Sequence, residues 1–502
     1  MRQASMSENL FNVLSKACEG NPEKEFLVTS NHGTISYANF FDRAGKYATA
    51  LQACGVTHGE RVLVKTRKSM DVLALYVGCL QLGAIYVPVN PLSTSDEVSF
   101  FVDDAEPALV VFDPNENIST DVQSESIGLG GSLTSLAEAN DREIIMQAHA
   151  GLDVAAMLYT SGTTGRPKGA MVSHRALISN GVALNKIWGF DTTDVLLHSL
   201  PVFHVHGLFV AIHCAMLSGA TVILLDKFSV NEVLESLPKS TVMMGVPTYY
   251  TRLLSNDSFT ADLCSGIRLF TSGSAPMTEQ THSAFHDRTG HQILERYGMT
   301  EAGIISSNPL NGDRIPGSVG FALPGMELRV AIDGRTCDAH ENGIVEVKGD
   351  HLFNGYWRQD EKTSAAFQDD GFLITGDIGN LDESGRLYLE GRSTDLIISG
   401  GENVYPKEVE LCLDDFSKVL ESAVIGVPHP DLGEAVVAIV VADGSISIPE
   451  LRNHVKKKLA GSKQPKEYLL VSELPRNTMG KVQKSTLRNS HVELFNEKNE
   501  SH

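Results

Sequence analysis

Positive charge is scarce in this chain of 502 residues: 41 Lys and Arg stand against 62 Asp and Glu, a formal charge of −21. Such a surface does not suit a general binder of nucleic acid or of anionic membranes, because both demand a basic patch that displaces counterions. Any positive site must be local, suited to small anions. Cysteine is sparse as well, with 7 residues, an odd total and no C-x-x-C pair. Neither a disulfide framework nor a cysteine-held zinc is expected, and reduced thiols suit a cytoplasmic setting. No apolar run reaches the roughly 18 residues that a membrane span needs. The apolar stretches 195–200 and 208–217, accompanied by His198, His204, His206 and His213, read as core. The first eight residues hold one basic side chain and no apolar segment, so neither a secretory signal nor an Arg-rich transit peptide is evident. Two catalytic signatures are missing: the G-x-S-x-G elbow of serine hydrolases and the P-loop G-x-x-x-x-G-K-[ST].

What the chain does have is a phosphate-type loop. Tyr159-Thr160-Ser161-Gly162-Thr163-Thr164-Gly165-Arg-Pro-Lys168-Gly combines glycines, hydroxyls and a lysine. Glycine lets backbone N–H groups close on phosphate oxygens, while Ser, Thr and Lys add donors and charge. The apolar run 154–159 before it predicts a buried strand, so the loop should sit at a strand's carboxyl end, where open α/β sheets bind ligands. Lys168 lies between Pro167 and Gly169 with no Ser or Thr after it, which excludes a P-loop NTPase.

Periodicity places the loop in an α/β protein. Strand-like runs at 61–65, 108–112, 221–225, 242–246 and 267–271 alternate with helical patterns. The polar stretch 113–132 reads as a surface loop. Short strands at 327–331, 343–347 and 385–389 separate Gly/Asp turns, a small β-rich unit. Runs at 419–427, 435–441 and 448–459 read as strand, strand and helix, and the tail 491–502 is polar and expected to fray. The expected architecture is a large N-terminal domain, 1–392, of layered α/β subdomains (about 1–174 and 175–320) plus a β-rich unit (321–391). A smaller mobile α+β C-terminal domain, 393–502, follows.

The phosphate-type loop is followed in order by Pro201-Val-Phe-His204, Tyr297-Gly-Met-Thr-Glu301, Thr375-Gly-Asp377, Gly391-Arg392, Ser399-Gly-Gly401 and Pro475-Arg-Asn-Thr-Met-Gly-Lys481. This succession, spanning nearly the whole chain, resembles the acyl-adenylate-forming family of acyl-CoA synthetases, peptide-synthetase adenylation domains and beetle luciferases. Within it the chain is most similar to the malonyl-CoA synthetases, through residues 200–207, 245–252, 272–275, 294–298 and 475–484.

The resemblance implies an ATP-dependent acid–thiol ligase that joins malonate, or methylmalonate, to CoA through an acyl-AMP intermediate. ATP and CoA would be co-substrates and Mg²⁺ the cofactor. Partners would be small molecules alone, with no nucleic acid and no membrane. Thr160, Ser161, Gly162, Thr163, Thr164, Gly165 and Lys168 would cradle the phosphates, Tyr297 would stack on the adenine, and Thr300 would donate to the α-phosphate. Asp377 would accept the ribose hydroxyls beside Arg392, and Glu301 would hold the metal. Lys481 would bridge the substrate carboxylate and the α-phosphate, in a loop with Met479 where the family usually has Ser. Thr394 would be the pivot between domains, and Gly400 and Gly401 the passage for the CoA thiol.

A second carboxylate on the substrate needs a partner, and the fork of arginine suits it. By resemblance Arg252 and Arg296, with Ser274 and His204, would hold it. The stretch Ala302-Gly-Ile-Ile-Ser306 departs from the more polar run usual in malonyl-CoA synthetases, so pocket volume stays open between malonate, methylmalonate and another small acid. A ligase for another short or aryl acid is the alternative. An amino-acid adenylation module is less suited, because Phe203-His204 stands where an acidic partner for the amine would be wanted. His204-x-His206 lacks the further ligands that zinc requires.

Overall fold

Alternation of apolar runs with amphipathic helices produces two large sheets and one small one. The computed structural model describes residues 9–29, 33–116, 120–139, 150–160, 166–444, 446–477 and 480–495. The seven-stranded sheet has Arg61–Lys65, Ile85–Pro88 and Leu109–Phe112 at its parallel centre, with Val154–Thr160 and the antiparallel Lys168–Ser173 toward one edge. Those central strands are almost wholly apolar because helices cover both faces.

The fourteen-stranded sheet has a parallel half formed by Glu25–Thr29, Thr221–Leu224, Val195–His198, Val242–Gly245, Leu269–Ser272 and Leu294–Met299. It then turns antiparallel through the hairpin Leu294–Met299/Gly303–Ser307 and continues into Met326–Ile332, Gly343–Gly349, Leu373–Leu381 and Leu387–Arg392. The expected β-rich unit is therefore an extension of the second sheet. The expected division near residue 174 also differs in detail, because Glu25–Thr29 leaves the first unit to pair with Thr221–Leu224. A five-residue strand carries no mark of which sheet it joins.

After Arg392 a short turn, Ser393–Asp395, leads to a five-stranded sheet built from Ile397–Ser399, Glu402–Val404, Val419–His429, Gly433–Ala442 and Glu467–Val471. Its two faces carry separate apolar clusters, one including Val424, Val436 and Leu451, the other Ile425, Val437 and Leu487. Phe495 is buried in the second cluster, so the polar tail is anchored at least that far. The polar stretch after Phe112 likewise contains a short strand, Ser124–Ser126, and the buried Ile127. Among the described residues no helix is long and apolar enough to cross a membrane.

Candidate active site

Parallel strands deliver from their carboxyl ends the residues expected to hold the acid. Leu269–Ser272 ends in Gly273 and Ser274, and Ser274 adopts a left-handed φ of 70°. Val195–His198 leads into a tight turn and the buried segment His206–Ile212, whose Gly207 lies so near Pro201 O that a Cβ would approach within 2.0 Å. Opposite them, Arg296 rises from Leu294–Met299 and stacks on Gly273, where a Cβ would come 2.4 Å from the guanidinium carbon.

Ser274 Oγ lies 3.3 Å from His206 Nδ1. The His206 pKa is pushed well down by burial and then by Arg296, His198 and His204. His204 is lowered to about 4 by burial. Both imidazoles are therefore neutral near pH 7, and each keeps a buried Nε2 without a hydrogen bond. Arg296 is 5% exposed, and its Nε and Nη2 are unpartnered. Burial lowers its pKa to about 10, so it stays charged. Among the described residues no carboxylate pairs with it, and a buried cation in that state is costly. The hydroxyl of Ser306, also fully buried, has no partner either. Arg252 does not join this group: it is exposed near the end of the helix Pro247–Leu254.

On the neighbouring hairpin, Glu301 is 7% exposed, and its Oε1 accepts a hydrogen bond of 2.9 Å from Tyr356. Lys168 Nζ sits 4.7 Å from the centre of the same tyrosine ring. Thr300 lies in the turn beside Glu301, and Thr160 pairs with Lys168 at the base of the phosphate-type loop. Ser161, Gly162, Thr163, Thr164 and Gly165 fall outside the described residues. Asp377, on Leu373–Leu381, pairs through Oδ1 with Arg392 Nε at 2.8 Å and through Oδ2 with the Tyr297 hydroxyl. Each carboxylate oxygen can accept two hydrogen bonds, so both retain capacity for a ligand.

The C-terminal module closes over this surface. Gly480 lies close enough to the first turn of Pro247–Leu254 that an added Cβ would sit 2.9 Å from Thr248 Oγ1. Although much of Lys481 faces solvent, its ammonium loses water to the surrounding protein, which lowers its pKa; Arg392 adds to this while Asp377 and Asp395 oppose it. Gly400 and Gly401, both exposed with φ of 60° and 84°, make the two-residue tip of the hairpin Ile397–Ser399/Glu402–Val404. Positive φ at both positions is the geometry of a type I′ turn and favours glycine.

Two residues of this arrangement escaped the sequence reading. Tyr356, the partner of Glu301, lies on the two-residue strand Gly355–Tyr356, which pairs with Lys168–Ser173 and which no spacing in the sequence marks. His206 was visible beside His204, but alternation on a strand would have put both on one face, and the chain instead turns between them into a helix.

A carboxylate braced by arginine in a large α/β body, followed by a smaller module that carries Lys481, defines an enzyme of two unequal parts. The chain belongs to the AMP-binding enzyme family: residues 14–357 match that family and residues 408–481 match its C-terminal domain. It is 34% identical over 514 residues to the mitochondrial malonate–CoA ligase ACSF3 of Mus musculus, covering 92% of this chain and 87% of that protein. The ATP-bound crystal structure of MatB from Rhodopseudomonas palustris superimposes with a TM-score of 0.95 at 44% identity, over 97% of this chain and 100% of that one. The apo form of MatB gives 0.84 at the same identity and coverage. The overall arrangement thus follows the ATP-bound form more closely than the apo form.

Proposed function

We propose that this chain is an ATP-dependent ligase that converts malonate to malonyl-CoA, by way of malonyl-AMP, with release of pyrophosphate and AMP. One observation carries the choice of acid: Arg296, buried and charged with two nitrogens unpartnered among the described residues, lies against Gly273 beside Ser274, whose hydroxyl reaches His206. A free carboxylate there supplies the missing anion and forms charge-assisted hydrogen bonds. Neutral imidazoles line the pocket without competing as cations. Arg252, at the exposed rim, would meet the acid on entry.

In the first step one carboxylate oxygen of malonate attacks the α-phosphorus of ATP and the bond to pyrophosphate breaks. Lys481 draws the two anions together by pairing with both, and Thr300 and Lys168 donate to phosphate oxygens. Asp377, held from two sides, accepts the ribose hydroxyls and fixes the nucleotide. Glu301 offers a carboxylate whose Oε2 receives no hydrogen bond among the described residues, a donor suited to a hard cation. Mg²⁺ bound there would offset the charge of the departing pyrophosphate. In the second step the CoA thiol, having lost its proton, attacks the acyl carbon and AMP leaves. We assign residues 1–392 to the body and 393–502 to the module that turns between these steps. The sparse, reduced cysteines support a cytoplasmic setting.

Purified protein with ATP, Mg²⁺ and CoA, offered malonate, methylmalonate, acetate, butyrate and longer monocarboxylates, tests the reading through AMP and thioester formation. Malonate or methylmalonate should exceed acetate and butyrate by about a hundredfold or more in kcat/KM, since a monocarboxylate leaves Arg296 unpaired. Monocarboxylates that equal malonate would overturn it.

A further inference from the structure

We propose that Glu410 and Glu421 are positioning residues for Lys481, forming a two-point clamp on the loop that carries it. The inference rests on the role given to Lys481 above. That lysine stands on a turn with three local hydrogen bonds among the described residues: Asn477 N–H donates to Lys481 O at 2.9 Å, Lys481 N–H to Asn477 Oδ1 at 2.9 Å, and Gly480 N–H to Asn477 O at 2.9 Å. These bonds shape the turn but do not fix its direction. A flexible side chain that must meet two anions has to be delivered to within about half an ångström.

The fixing comes from the residues on either side. Arg476, at the start of the loop, donates to Gly480 O at 2.6 Å through Nη1 and pairs through Nη2 with Glu421 on the strand Val419–His429. Lys484, at the end, pairs at 2.6 Å with Glu410 on the helix Pro406–Asp414. Glu410 is itself held, since its Oε1 accepts the Val424 N–H at 2.8 Å. A single isolated bridge, Arg476 with Val482, joins the stem of the loop. Both glutamates thus tie the loop to the apolar body of the module, and both ties lie within that module, so they persist whichever way it is turned. Both pairs keep part of their surface exposed, 29% and 30% for Arg476–Glu421 and 19% and 18% for Lys484–Glu410, which limits what each adds to stability. Their value is directional.

Glu410→Gln, Glu421→Gln and the double variant separate the two half-reactions. Exchange of labelled pyrophosphate into ATP, run with whichever acid the wild type activates best, reads adenylation. CoA thioester formation from supplied acyl-AMP reads the second step. The double variant should lose about tenfold or more of exchange, since small misplacements of a reacting group are costly, and keep near-normal thioester formation and melting temperature. Glu421→Gln combined with Arg476→Gln should lose no more than the worse single change. Hydrogen–deuterium exchange over residues 475–484 needs no substrate and remains decisive if the proposed function fails: protection should fall in the double variant. Unchanged protection, unchanged adenylation, or equal loss of both half-reactions would each overturn the clamp.

Discussion

Arg296 is the residue where free-energy cost and function meet. Burying a guanidinium whose Nε and Nη2 have no partner among the described residues destabilises the ligand-free protein. Replacing it by Met, similar in length and uncharged, should therefore raise the melting temperature of the free enzyme while raising the malonate KM about a hundredfold or more. The rise in melting temperature that malonate and ATP confer on the wild type should shrink in the variant. A variant less stable than wild type, with KM unchanged, would place the arginine in a purely structural role. Arg296→Lys should not rescue binding, because an ammonium cannot reproduce the bidentate fork. Most of the roles proposed at this scale rest on short strings such as residues 297–301 and 475–481. What could not be read was partnership: nothing in the sequence joins Tyr356 to Glu301, or Glu421 to Arg476, across 55 positions in each case.

At the scale of elements, the join between body and module is narrow. Arg392 is tied to Asp377 of the body at 2.8 Å, and Asp395 to Arg488 of the module at 2.7 Å. Only Ser393 and Thr394 lie between these anchors, in a turn of 3₁₀ type. The rotation proposed for the module would have to be absorbed there, and Thr394 is exposed. Proline fixes φ near the value of such a turn. Thr394→Pro should therefore release pyrophosphate and form malonyl-AMP at near-normal rates but make almost no malonyl-CoA, which single-turnover assays of each step would resolve. A full thioester rate would move the pivot to Asp395. The sequence marked the runs at 61–65, 221–225 and 419–427 as strands because apolar β-branched residues filled them. It did not tell which strands would pair, since the contacts of Glu25–Thr29 with Thr221–Leu224 come from tertiary packing.

For the whole molecule, pattern and order made the α/β class readable, while the burial of polar groups emerged only with the packed core. That burial sets the pH response. His198 and His213 are pushed down to about 3, and His204 and His351 to about 4, by loss of solvation, and His206 falls well below its ordinary value for the same reason first. Each is neutral in the fold and takes up a proton near pH 6.5 once unfolded. Their contribution to stability is full above that pH and is lost as pH falls toward the folded values. Glu295 and Asp414, raised to about 7 mainly by burial, act oppositely: they favour the fold below their unfolded values and lose that advantage as pH rises through about 7. The five histidines outnumber these two carboxyls, and each of the four lowered to about 3 or 4 contributes about 2 kcal/mol between pH 6.5 and 5. Unfolding at pH 5 should therefore take up protons, and the thermal midpoint should fall between pH 7.5 and 5, where ordinary carboxylates remain ionised. His351 Nδ1 lies 3.1 Å from the Asn180 amide, a contact that a glutamine carbonyl can reproduce. His351→Gln should then lessen the fall by about one histidine's share. A midpoint that held or rose at pH 5 in the wild type, or an equally steep fall in the variant, would mean that the buried imidazoles do not govern the acid limb.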